Sequence, residues 1–274
     1  MYKIFSAVFF LIILSLSAGE WKDIPYYEKG FPVQGNEKAL RARCRLNLLT
    51  PDKKRDFPTL IWLHGGGLSR GGRYYPGNIS RSKVAIAAVN YRLSGKDAAC
   101  PDYIYDAAAS VAWVLKNIKK YGGDPEKVYL AGHSAGAYLA AMVTLDTKYL
   151  NTFGCSPTAL AGVFPISGQM STHFRVLAER RAKDPRTPAF LVDEYAPLFH
   201  AARKMPRPRM LFLCGDPERD WPARVEENHL LAARLKYVCK DKQVKSVSIP
   251  MMTHDGCMSP ALGIINREIC AAGK

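Results

Sequence analysis

The 274-residue chain contains no C-x-x-C and no H-x-x-x-H spacing. Those are common short-range pairings by which cysteine and histidine hold a metal, so no metal site is expected. Internal repeats and low-complexity tracts are missing, which sets aside solenoids and disordered linkers. Beyond the first twenty residues no apolar run approaches the ~20 residues that a membrane-spanning helix needs. Acidic residues are in deficit, 24 against 39 basic, for a formal charge of +15. The basic residues gather at Lys53-Lys54-Arg55, at Lys119-Lys120 and between Arg180 and Arg186. They lack the aromatic or groove-reading context of nucleic-acid binders, so no nucleic-acid partner is expected. The excess reads first as a solvated surface; the alternative is attraction to an anionic surface or polysaccharide. What the chain does have is apolar content, 48% of residues, enough for one large domain with a full core or for two small ones.

The N-terminus runs Met1-Tyr2-Lys3, then an apolar stretch from Ile4 to Leu16, then Ser17-Ala18-Gly19. A short basic start, an apolar centre and a small-residue exit are the parts of a secretory signal peptide. Residues 1–19 are expected to be removed, with cleavage after Ser17 or Gly19. The expected product is a single domain over 20–274, secreted or periplasmic, with no transmembrane segment and no lipid anchor, because no cysteine stands at the exit. Seven cysteines, Cys44, Cys100, Cys155, Cys214, Cys239, Cys257 and Cys270, make an odd count, so at least one stays free unless it pairs between chains. Cys214 lies within an apolar run and is expected in the core.

The centre of the reading is Gly132-His133-Ser134-Ala135-Gly136, which follows the apolar run from Val128 to Ala131 and precedes a small-residue helical pattern from Ala135 to about Asp146. Strand, tight turn and helix form the context in which G-x-S-x-G becomes a nucleophile elbow. Upstream, the apolar strand Pro58 to Leu63 empties into His64-Gly65-Gly66-Gly67. Further strands are expected at 83–89, 159–166, 210–214 and 244–249, and helices from Pro101 to an end at Lys119-Lys120-Tyr121-Gly122-Gly123, at 224–237 and at 259–271. Ala39 to Leu48 alternates apolar and polar residues, as an edge strand does, and Trp21 to Gln34 reads as an irregular arm. Residues 169–208, proline-rich and with a helical fragment at Phe174 to Arg181, read as a small cap-like insertion. The alternation predicts an α/β fold: a mostly parallel central sheet with helices on both faces, and chemistry at the carboxyl ends of strands.

A serine hydroxyl needs a base, and the base needs an acid to set its tautomer and stabilise its charge. His254, in a glycine-containing loop after a late strand, is the expected base; His64 and His133 are expected to support turns. The loop after Cys214 offers Asp216, Glu218 and Asp220, and all three satisfy the chain order serine, acid, histidine. The oxyanion of acyl transfer would be met by the N–H groups of Gly66, Gly67 and Ala135.

Together with Leu46 to Pro51, Asn90-Tyr91-Arg92-Leu93 and Gly122-Gly123-Asp124-Pro125, these motifs resemble the α/β-hydrolase fold, and within it the HGGG-type bacterial carboxylesterases. The likeness extends to hormone-sensitive-lipase-like and feruloyl- or acetyl-esterase-like hydrolases, and covers nearly the whole chain after residue 19. It implies a serine esterase without cofactor, acting through an acyl-enzyme on Ser134 with His254 as base. Its substrates would be small-molecule or polysaccharide-linked esters. Relatives carry G-x-x-D with a proline four residues later; here Gly215-Asp216-Pro217-Glu218 precedes Pro222, which puts Glu218 in the acid position and leaves Asp220 as second choice. The alternatives are an exopeptidase or amidase on the same fold, or an inactive hydrolase-like binding module. Oligomeric state is not legible.

Overall fold

The computed structural model describes residues 19–28, 35–52, 55–202 and 204–271. Apart from Gly19 the expected signal peptide lies outside these residues, as do Lys53 and Lys54. The described chain builds one eight-stranded sheet in the order β1-β2-β4-β3-β5-β6-β7-β8. The strands are β1 Glu20–Pro25, β2 Arg45–Leu49, β3 Phe57–Leu63, β4 Ala85–Val89, β5 Gly123–His133, β6 Gly162–Ile166, β7 Arg209–Cys214 and β8 Val244–Ser248. β1 pairs antiparallel with β2, and β2 with β4; every pairing from β4 through β3 to β8 is parallel. The inner strands β4 and β6 are buried along their whole length, so they read as continuous apolar runs rather than alternations.

The helices are α1 Glu37–Arg43, α2 Asp102–Asn117, α3 Ala135–Leu145, α4 Lys148–Asn151, α5 Phe174–Arg181, α6 Arg224–Ala233 and α7 Met258–Ala271. Successive residues of a strand face opposite sides, and β3 divides the core accordingly. Ile61 and Leu63 pack with α2, α3 and α6, whereas Leu60 and Trp62 pack with Ala261, Leu262, Ile265 and Ile269 of α7. Among the described residues no helix is long and apolar enough to cross a membrane.

Two sequence expectations fail at the N-terminal edge. Part of the expected arm is a strand, β1, and the first half of the expected edge strand is the helix α1. Asn36 causes the second: its Oδ1 accepts from the Ala39 N–H at 3.0 Å, a helix N-cap that a period-two reading ignores. The alternation is real from Arg45 onward, where Leu46 and Leu48 are buried in β2. The expected helix 224–237 also changes character, its last turn being a π-helical segment at Arg234–Val238. No disulfide joins any of the seven cysteines, and Cys214 is buried in β7 as expected.

The sheet's central crossover is held by close backbone approach. A Cβ on Gly132 would stand 2.4 Å from the carbonyl carbon of Gly136, so the strand and the helix it feeds meet without side chains between them. Gly132→Ala should therefore cost roughly 2–3 kcal/mol, as overpacking of a rigid site does. Urea unfolding measures it; a loss below ~0.5 kcal/mol would mean the turn can relax.

Candidate active site

β5 ends at His133 and α3 begins at Ala135, which leaves Ser134 alone at the turn with φ 54° and ψ −114°. Few non-glycine residues adopt such a backbone, and the strain persists only where its surroundings enforce it. Here they do: the Ser134 N–H donates to the Ile166 carbonyl at 2.8 Å, and its own carbonyl receives the first helical bonds, from Ala137 and Tyr138. Ser134 is largely buried.

His254, in the loop after β8, is buried. Its Nδ1 donates to Oδ1 of Asp220 at 2.8 Å, in the loop after β7. The indole of Trp221 stacks on the imidazole with centroids 4.4 Å apart and planes 17° from parallel. The remaining nitrogen, Nε2, is buried without a hydrogen-bond partner. His133, the residue before Ser134, donates from Nε2 to the His254 carbonyl at 2.9 Å, which ties the elbow to the loop of the histidine. Burial lowers the pKa of His133, as the assignment of a neutral, structural ring requires.

Asp220 collects four donors: His254, the Ser167 hydroxyl at 2.7 Å, the Gly215 N–H at 2.9 Å and the Trp221 N–H at 2.7 Å. Burial alone would raise its pKa, but these bonds outweigh burial and bring it down to about 2. The carboxylate is thus ionised throughout the neutral range. Glu218 does not meet the histidine. Its side chain is exposed, and its N–H donates to Oδ1 of Asp216. Asp216 serves the loops instead, its Oδ2 accepting from the Met251 N–H at 2.8 Å and so joining the segments after β7 and β8. The carboxylate that meets the histidine is thus Asp220, the second of the two expected, and not Glu218. The reason is local. Arg219 and Asp220 both donate their N–H to the Asp216 carbonyl, so the chain makes one turn after Gly215 and returns residue 220, not 218, to the strand end.

Ser167 escaped the sequence reading. It follows β6 directly, with φ 49°, and its hydroxyl lies 2.9 Å from His254 Nδ1 as well as on both oxygens of Asp220. Its one sequence signal was position: the first residue past a buried strand, beside the strand that carries the elbow.

The glycine loop lies against the elbow. A Cβ on Gly65 would stand 3.4 Å from Cβ of Ser134. Gly66 has φ +110°, and its carbonyl accepts from the N–H groups of Ser69 and Arg70, which closes a turn around Gly67 and Leu68. His64 stacks on Tyr91 at 4.3 Å, and the Tyr91 hydroxyl donates to the His64 carbonyl at 2.8 Å. Burial takes the His64 pKa down to about 4, so this ring is a neutral prop, as the sequence suggested. The segment between β6 and β7 supplies one wall, since Phe174 Cζ would be 3.0 Å from a Cβ on Gly67. Ser134, His254, Asp220 and the 64–67 loop are therefore gathered at the carboxyl ends of β5, β8, β7 and β3.

A mostly parallel sheet with a strained serine between its central strand and helix, and a histidine–carboxylate pair on later strands, has the α/β-hydrolase fold. The chain belongs to the BD-FAE family: the model of that description matches residues 46–193, more than half of the chain. Carboxylesterase 1F of Mus musculus is 32% identical over 151 residues, 50% of this chain and 27% of that protein. Acetylcholinesterase-1 of Trittame loki is 34% identical over 119 residues, 37% of this chain and 21% of that protein. The chain thus aligns with about a quarter of the length of the curated relatives it matches. Among solved structures, a truncated carbohydrate esterase from gut microbiota superposes with TM-score 0.69 at 17% identity, covering 94% of this chain and 97% of that one. Esterase B from Lactobacillus rhamnosis gives TM-score 0.67 at 20% identity, covering 93% and 86%.

Proposed function

We propose that this protein hydrolyses carboxylic esters through an acyl-enzyme on Ser134. The observation that carries the reading is the Asp220–His254 pair, whose free imidazole nitrogen, Nε2, is buried without a partner beside the elbow. His254 Nε2 takes the hydroxyl proton as Ser134 Oγ bonds to the substrate carbonyl carbon. Asp220 holds the tautomer and stabilises the imidazolium. The N–H groups of Gly66, Gly67 and Ala135 receive the oxyanion, each such donor being worth about 3–4 kcal/mol in the transition state. The imidazolium then protonates the leaving alcohol as its C–O bond breaks. Water, deprotonated by His254, releases the acid and restores Ser134. No step calls on a cofactor.

Short acyl and aryl esters are the substrates, with acetyl and feruloyl esters of polysaccharide as the finer expectation. The carbohydrate esterase of like fold, the family match and the open rim of Trp221 and Phe174, 45% and 37% exposed, support it. Hydrolysis should be measured on p-nitrophenyl esters of increasing acyl length, acetylated xylan and methyl ferulate. Turnover is expected on at least one, and treatment with a 4-nitrophenyl phosphonate, losing 4-nitrophenol, should leave a single adduct on the Ser134 peptide; turnover without an adduct there would move the nucleophile elsewhere. Export remains part of the reading, on the strength of the apolar run Ile4 to Leu16 and its small-residue exit. A mature N-terminus at Ala18 or Glu20 would bear it out, and an intact Met1 in exported protein would count against it.

A further inference from the structure

Among the described residues two arginines are deeply buried, and they differ. Arg92, 1% exposed, is clamped by Asp106 through Nε–Oδ2 and Nη2–Oδ1 bonds of 2.8 Å. Arg224, 5% exposed at the first turn of α6, has no such carboxylate: its Nε and Nη1 are buried without partners. A buried cation is expensive unless it is paired. The nearest acid on its own helix, Glu227, is already engaged by the Met170 N–H at 2.6 Å, the Ser171 N–H at 3.0 Å and the Ser171 hydroxyl at 2.7 Å. Among the described residues no ion pair joins Glu227 to Arg224.

The position of this guanidinium is as telling as the lack of hydrogen-bond partners at its Nε and Nη1. Its Cζ lies 5.5 Å from the centroid of Trp221, the ring that stacks on His254. A second guanidinium approaches from the insertion. Arg175 donates from Nη2 to the Ser69 hydroxyl at 3.0 Å, and its Nε is buried without a partner. Ser69 in turn donates its N–H to the Gly66 carbonyl, so Arg175 is fastened to the glycine loop. Both arginines act on buried His173, whose Nδ1 accepts from the Arg175 N–H. One guanidinium is thus anchored beside the histidine and the other beside the glycine loop, with their buried Nε–H groups unanswered by the protein.

We propose that Arg224 and Arg175 form an anion subsite next to the reactive centre, which takes a carboxylate carried by the substrate ester. The proposal rests on the esterase reading above and narrows it. A planar carboxylate accepts charge-assisted hydrogen bonds from guanidinium groups and would answer the unpartnered Nε–H groups, which Glu227 and Asp220 reach only through space. The formal +15 of the chain adds a long-range pull in the same direction. The rival role for Arg224 is support of the Asp220 charge, which would affect all esters alike.

The test uses two ester pairs, each a carboxylate and its neutral methyl ester. 4-Acetoxybenzoate places the charge on the alcohol side, and 4-nitrophenyl hydrogen glutarate places it on the acyl side. With uncatalysed rates subtracted, wild-type kcat/KM should favour the charged member at least tenfold in one pair. Arg224→Met should cut that preference at least tenfold, chiefly through KM, and Arg224→Lys should restore part of it. Equal preference in both wild-type pairs, or a preference unchanged in Arg224→Met, would overturn the subsite while leaving the esterase intact. Should Arg224→Met not fold, Arg175→Met is held to the same criterion. Should no ester be cleaved, the esterase reading fails by itself. Calorimetric titration with benzoate then decides the subsite, with binding at least tenfold weaker in the arginine variant expected and equal binding overturning it.

Discussion

Ser134→Ala should lower kcat/KM on the best ester by on the order of 10⁵-fold, the scale on which a serine hydrolase loses its nucleophile. The variant should fold as well as the parent. The cost of φ 54° and ψ −114° falls on any residue with a Cβ, so serine and alanine carry the same strain. The bonds that hold the turn, Ser134 N–H to Ile166 and the helical bonds to the Ser134 carbonyl, are made by the backbone and survive the change. Urea midpoints within experimental scatter of the parent, together with residual turnover at the level set by the oxyanion donors, are the expected pair of results. Retention of more than 1% of wild-type activity, with folding intact, would place the nucleophile elsewhere.

Most of the sheet was legible because its strands are buried on both faces and therefore appear as short apolar runs between glycines and prolines. β3, β4, β7 and the elbow lie where those runs predicted, and α5 coincides with the fragment foreseen at Phe174 to Arg181. The failures have local causes. At Ala39 to Arg43 a side-chain cap from Asn36 overrode a two-residue alternation that continued correctly into β2. At the acid loop, spacing by analogy put Glu218 on the histidine, but the turn closed on the Asp216 carbonyl adds a reversal that residue counting does not register. Ser167 had no motif at all. Its place in the network follows from β6 lying between β5 and β7, so the first residue past β6 points among side chains delivered by its neighbours. The unpaired Arg224 was equally silent, since burial without a partner is a property of packing, not of sequence.

The sharpest division between the two candidate acids comes from Asp220→Asn set beside Glu218→Gln. Asp220→Asn should reduce kcat by about 10⁴-fold, a barrier increase of about 5 kcal/mol. The carboxylate accepts from His254 Nδ1–H and so leaves Nε2 ready to take a proton. An asparagine amide in its place donates its own N–H toward Nδ1, favours the opposite tautomer and puts the proton on the nitrogen that must accept one. It also removes the negative charge that would stabilise the imidazolium, and the Ser167 hydroxyl, at 2.9 Å from Nδ1, has no charge with which to replace it. KM should change little, because Asp220 is buried behind His254 and Trp221, out of a substrate's reach. Glu218→Gln alters only an exposed side chain and should keep kcat within about twofold, the usual range for surface changes away from a site. A large loss in Glu218→Gln with near-wild-type turnover in Asp220→Asn would reverse the assignment. It would mean that the loop after β7 rearranges when substrate binds, exchanging the turn on the Asp216 carbonyl for one that carries residue 218 to the histidine.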